Sequence, residues 1–137
     1  MSVEQVIQRR WAMYRPLEDW LPSERVFTGR THDDPETPYA VVTRQTDRPV
    51  VVTSSGTSVR EVTVRIDVWV DTLGEGKKIV ARLGRAFALA DPRKLDPGVL
   101  TIRRGEQDEQ LNEDGSWRLR VDLIVLVQQS AGVHRNG

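Results

Sequence analysis

The chain contains no cysteine and only two histidines, His32 and His134. The first absence removes disulfides, thiolate nucleophiles, zinc fingers and iron–sulfur clusters. The second leaves imidazole chemistry to two groups far apart in sequence. An excess of one charge sign is missing too, since 20 Lys+Arg balance 20 Asp+Glu. A polyanion-binding domain carries a basic excess, and none exists here. No run approaches the ~18 apolar residues of a membrane span, and the opening MSVEQVIQRR holds no hydrophobic signal segment. The expectation is synthesis in the cytoplasm with no membrane partner. Aromatic residues make up 6% and hydrophobic residues 38% of 137, enough for one modest core and too little for two. That predicts a single domain over residues 1–129, with a flexible tail over 130–137.

What is present is patterned. Ser2 and Gln5 form a capping box for a helix whose stripe at helical spacing is Val3, Val6, Ile7, Arg10, Trp11 and Tyr14, which Pro16 ends or bends. A short segment, Leu17 to Leu21, stops at Pro22. Residues 23–38 read as a polar connector anchored by Val26 and Phe27. A strand begins at Tyr39 to Thr43, Asp47-Arg48-Pro49 breaks the run, and Val50 to Thr53 is a short β-branched piece before a loop around Gly56. The clearest element is residues 60–71. Val62, Val64, Ile66, Val68 and Val70 face one way, and Thr63, Arg65, Asp67, Trp69 and Asp71 the other.

A turn at Leu73 to Gly76 leads into a second helix over 75–90 with Ile79, Val80, Leu83, Ala86, Phe87 and Ala90 as its stripe, ended by Asp91-Pro92. Val99 to Arg103 is a short strand, and the acid-rich 104–115 is a polar turn region. The last strand alternates Trp117, Leu119, Val121, Leu123, Val125 and Val127 against Arg118, Arg120, Asp122, Ile124, Leu126 and Gln128. The sum is an α+β fold, a mostly antiparallel sheet with two helices packed on one face.

No reaction chemistry emerges. His32, Asp33, Asp34 and Glu36 lack any metal-ligand spacing. Ser54, Ser55 and Ser58 flank Gly56 without a nucleophile elbow. Asp67 and Asp71 are too far apart along a strand to share a proton, and Arg65 is an ordinary ion partner. Gly74-Glu75-Gly76-Lys77-Lys78 opens a helix but lacks the phosphate-loop signature, and Glu75 stands where an anion would sit. The chain reads as neither an enzyme nor a binder of cofactor or metal. Arg103, Arg104, Arg118 and Arg120 beside Trp117 raise a nucleic-acid reading, which the acids between 106 and 114 oppose.

Two features resist a solvent-facing explanation. Trp69 stands on the polar side of its strand, and the last strand turns apolar on both sides at Ile124 and Leu126. Trp69 either covers a local core or meets a partner.

Several segments in order resemble a known family. They are Pro38-Tyr39-Ala40-Val41-Val42, then Thr63-Val64-Arg65-Ile66-Asp67-Val68-Trp69 before a Gly-rich turn. Next come a helix with Ile79, Leu83 and Phe87, and a closing Asp114-Gly115-Ser116-Trp117-Arg118-Leu119-Arg120-Val121. This order, over residues 3–128, resembles the tail-terminator or tail-completion proteins of long-tailed bacteriophages and prophages. The resemblance implies a structural virion subunit that forms a six-membered ring on the tail tube, stops its polymerisation and offers a surface to the head. Its partners would be copies of itself, the tube protein, and a head–tail connector or neck protein, with no cofactor and no specific nucleic acid. Its place would be the virion tail, reached from the host cytoplasm during assembly. Another neck or connector role is the nearest alternative, and a small nucleic-acid-binding accessory protein the alternative from a different class. Candidate contacts with a neighbouring subunit or the tube are Trp69, Arg65, Asp67, Arg118, Arg120, Ile124 and Leu126. The charged loops 29–37, 44–58 and 104–115 join them.

Overall fold

The first helix starts where its cap stands. Ser2 Oγ accepts from the Gln5 amide at 3.1 Å, and Gln5 Oε1 accepts from the Ser2 amide at 2.8 Å. This closes the capping box of α1 (Val3–Met13). Extended Tyr14 then separates α1 from the single turn α2 (Arg15–Glu18), in whose first turn Pro16 lies. A missing N–H is harmless there, so the proline redirects the chain. Leu17 and Leu21 are fully buried, which makes the 17–21 segment part of the core. This computed structural model describes residues 2–31 and 35–130, the last by its backbone alone. His32, Asp33, Asp34, His134 and the expected tail beyond Ser130 lie outside the described residues.

The connector expected over 23–38 holds structure. A 3-10 turn (Ser23–Arg25) precedes β1 (Val26–Thr28), which pairs in parallel with β2 (Tyr39–Val52). Three residues are too few to show a strand period, so the alternation rule had nothing to read.

Two larger corrections concern long strands. β2 does not break at Asp47-Arg48-Pro49. It runs unbroken through fourteen residues, with register irregularities at Arg44/Thr46 and Pro49/Val51. Past Val42 it has no neighbour on its outer side among the described residues, and proline is tolerated on such an edge, where one side needs no N–H. Likewise β4 (Val99–Leu111) continues through the acidic stretch, which shrinks the turn to residues 112–116. Its partner β5 (Trp117–Ser130) supplies the hydrogen bonds its polar side chains do not predict. The strand expected over 60–71 forms as β3 (Thr57–Val70), starting earlier. The expected second helix forms as α3 (Leu73–Ala88), which takes in the turn expected at Leu73 to Gly76 because Thr72 Oγ1 caps it by accepting from the Glu75 amide at 3.2 Å. Asp91 caps a further turn, α4 (Pro92–Leu95).

The five strands lie in the order β1-β2-β3-β5-β4, all neighbours antiparallel except β1 and β2. The fold is α+β with both main helices on one face. Val62 through Val70 and Leu119 through Val125, taken alternately, meet Val6, Ile7 and Trp11 of α1 and Ile79, Leu83 and Phe87 of α3.

Closeness of helix to sheet depends on Gly76. A Cβ there would stand 2.4 Å from Leu119 Cδ1 and 2.9 Å from Val70 Cγ2, whereas one at Gly74 meets nothing within 4 Å. Gly76→Val is therefore expected to destabilise by about 1–3 kcal/mol through overpacking. Gly74→Ala, with better helix propensity and free space, is expected to be neutral or stabilising by up to about 1 kcal/mol. Urea unfolding of the two variants checks the contrast, and equal midpoints would refute the tight helix–sheet contact.

Candidate interaction surface

The face of the sheet turned away from the helices carries the unexplained residues. Successive rows across the strands can be read from the register. The first is Tyr39, Trp69, Arg118 and Gln110, and the second Val41, Asp67, Arg120 and Asp108. Thr43, Arg65 and Asp122 follow, then Thr63, Ile124 and Arg103, then Arg48, Glu61, Leu126 and Thr101. All seven residues nominated from sequence, Trp69, Arg65, Asp67, Arg118, Arg120, Ile124 and Leu126, thus share one face.

At one end the surface is aromatic. Trp69 stacks on Tyr39 with ring centroids 5.0 Å apart and planes 9° from parallel, and Phe27 meets the edge of Tyr39 at 6.4 Å. At the other end Ile124 and Leu126 are half-buried, with no helix above them among the described residues. The middle is ionic. Among the described residues Asp67 and Asp122 are the two buried charged ones, 9% and 7% exposed, under the arginine side chains of adjacent strands. Arg120 Nε donates to Asp67 Oδ1 at 2.8 Å, and Arg65 Nε donates to Asp122 Oδ1 at 3.1 Å. The Asp122 hydrogen bond, opposed by partial burial, raises the pKa of the Arg65 guanidinium.

Sequence spacing suggested Arg65 as partner to Asp67, and that pairing is not the one formed. Residues two apart on a strand stand roughly 7 Å from each other, while directly opposite residues approach to about 5 Å. Cross-strand pairing therefore wins. Arg118 Nε is buried and makes no hydrogen bond, with Asp67 Oδ1 at 3.8 Å and Asp108 near its Nη2 at 3.6 Å. Glu61 holds Arg48 at 2.9 Å and Arg103 at 3.9 Å. The arginines a nucleic-acid reading would use on this face are already engaged with carboxylates.

Sequence reasoning missed Tyr39 and Glu61 as members of this surface, and named Arg48 and Asp108 only within the segments 44–58 and 104–115. Tyr39 carried a signal, because a strand opening on an aromatic beside an unpaired tryptophan invites a cross-strand stack. Glu61 carried none, and the places of Arg48 and Asp108 on the face depend on registers no local pattern specifies. Of the charged segments nominated as loops, 44–52 and 104–111 are strands.

A sequence profile described as Tail completion protein gp17 matches residues 17–128. This chain belongs to that tail-completion family. The match spans β1 through β5 and so the whole helix-free face, leaving α1 outside it. No curated protein matches the sequence. Among solved structures, a chain from the virion of a native gene transfer agent particle shares the fold at 11% identity, with a TM-score of 0.67. The overlap covers 93% of this chain and 96% of that one. As a tail-completion protein of tailed-phage type, the chain is a structural virion component and not an enzyme. Among the described residues no group of His, Asp or Glu is placed to hold a metal, and no helix is long and apolar enough to cross a membrane.

Proposed function

We propose that this tail-completion protein is the terminating subunit of the tail. Its copies, as a single domain over residues 1–129, form a six-membered ring on the last ring of the tube. The ring stops tube growth and presents a surface to the connector or neck. Assembly takes place in the host cytoplasm and the product resides in the virion tail.

Family membership over most of the chain carries this reading, and the uncovered sheet face supports it. A two-layer domain normally buries both faces of a sheet or solvates one with polar residues. Here that face instead carries a stacked tyrosine and tryptophan, the three aliphatic residues Val41, Ile124 and Leu126, and internally neutralised charges. Such a surface costs little to desolvate against another protein, because its carboxylates bring their own cations. The unbonded Arg118 Nε–H is a donor that an incoming acceptor would satisfy. Balanced net charge also avoids the repulsion that many like subunits would otherwise accumulate.

Electron microscopy of the purified protein with and without its tube protein tests the reading. Rings seated at tube ends, and tubes no longer than in the virion, are the expected result. Ile124→Glu with Leu126→Glu is expected to leave the unfolding midpoint nearly unchanged, abolish rings and permit overlong tubes. A wild-type protein that stays monomeric beside tubes would sink the proposal. Label at the head portal rather than the tube end would move the protein to the neck.

A further inference from the structure

Zero net charge conceals an uneven distribution. Along α3 the outward stripe is Lys77, Ala81, Arg85 and Ala88, all exposed. Among the described residues neither Lys77 nor Arg85 has a carboxylate within ion-pair distance. The two cations stand about 12 Å apart along the helix axis, with only Ala81 between them on the stripe. Their neighbours Lys78 and Arg82 are occupied differently, lying over the Trp20 ring at 5.3 and 4.9 Å.

The complement lies at the aromatic end of the helix-free face. There a cleft of about 760 Å³ is walled by the stacked Tyr39 and Trp69 and rimmed by Asp71, Asn112, Asp114 and Ser116. Among the described residues its lining holds no lysine or arginine. Asp71 Oδ1 accepts from Thr37 at 2.5 Å, and Asp114 Oδ1 accepts from the Ser116 hydroxyl at 2.6 Å and amide at 2.9 Å. Those two bonds hold the Asp114 carboxyl below the usual carboxylate range. The Oδ2 atoms of both aspartates have no hydrogen bond among the described residues. A flat aromatic wall beside two carboxylates with free oxygens is the environment that binds an ammonium or guanidinium group.

We propose that this cleft receives the Lys77 and Arg85 side chains from α3 of a second copy of the chain. The inference rests on the ring reading above and names the surfaces that make the ring. Charge complementarity on the chain itself selects the occupant. The cleft opens on the sheet face turned away from the helices, and the stripe lies on the helix layer behind it. The contact between two copies is therefore head-to-tail, the heterologous kind that closes into a ring when its rotation permits. Ala81 between the cations and Ala88 beyond them let the helix approach a flat surface closely.

Charge reversal with mixing tests it. Lys77→Glu/Arg85→Glu leaves the first protein with two acidic surfaces, and Asp71→Lys/Asp114→Lys leaves the second with two basic ones. Each alone is expected to need more than about tenfold higher concentration to assemble, because like charges are opposed at every contact. Mixed one to one they are expected to recover assembly, since each supplies what the other lacks in an alternating ring. Asp114 also holds a turn, so Asp71→Lys alone serves as a second basic variant, and thermal unfolding confirms that every variant folds. Light scattering reads the masses. Wild-type rings with equally competent variants would overturn the inference and spare the ring. Loss of assembly in folded variants without recovery on mixing would overturn it as well. A wild type that never self-associates would remove both proposals.

Discussion

Trp11→Ala is expected to lower the unfolding free energy by about 3–5 kcal/mol, the range for deleting a large buried aromatic side chain. Trp11 is completely buried, and its Nε1 donates to the Leu21 carbonyl at 2.7 Å. One side chain thus joins α1 to the end of the segment that Pro16 redirects. Around it Gln8 Nε2 reaches the Val26 carbonyl at 2.9 Å, and Arg10 Nε reaches that of Ala86 at 2.8 Å. These bonds tie the same helix to β1 and to the last turn of α3. Trp11→Phe separates packing from hydrogen bonding. It keeps most of the ring but leaves the Leu21 carbonyl without its donor, for an expected loss of about 1–3 kcal/mol. Urea unfolding followed by circular dichroism gives both values. Equal losses in the two variants would mean the indole N–H carries the effect and the ring volume does not. The helix lies outside the stretch matched to the family, so a large loss would show that this chain's stability depends on an element beyond the family pattern.

The elements most legible in the sequence were those whose stability is local or whose burial is one-sided. The Ser2 and Gln5 box specifies the start of α1 by contacts three residues apart. The alternation from Val62 to Val70 follows from one buried face, and the stripe from Ile79 to Phe87 from one buried side of α3. What stayed hidden depends on a partner distant in the chain. β2 passes through Pro49 because it is an edge there, and edge position is a property of the sheet. Gly105 to Leu111 are strand because Trp117 to Val121 and their neighbours lie beside them. The candidate surface shows the same division. Alternation placed all seven nominated side chains on one side of their strands, while the choice of Asp122 for Arg65 and Arg120 for Asp67 required the register between β3 and β5.

That register is itself open to test through those four charges. A slip of one residue would turn every apolar side chain to the wrong face and is strongly opposed. A slip of two keeps the faces, and the valine and leucine rows of β3 and β5 discriminate poorly against it. The charges do discriminate. In the observed register Arg65 faces Asp122 and Asp67 faces Arg120, so opposite signs alternate both along and across the strands. A two-residue slip one way sets Asp67 against Asp122, and the other way Arg65 against Arg120, leaving like charges half-buried together. Asp122→Ala is expected to destabilise by about 1.5–3 kcal/mol, because it strands a hydrogen-bonded guanidinium. Arg65→Asp combined with Asp122→Arg keeps opposite charges paired and should recover much of that loss. The double variant, however, places two acids on β3 and two arginines on β5, so the slipped registers are no longer penalised. Doubled amide resonances or weakened exchange protection along these strands are therefore expected in the double variant and not in the wild type. A double variant with a single set of native cross-strand contacts and full protection would show that the apolar rows set the register unaided, and that the charges serve only the surface above them.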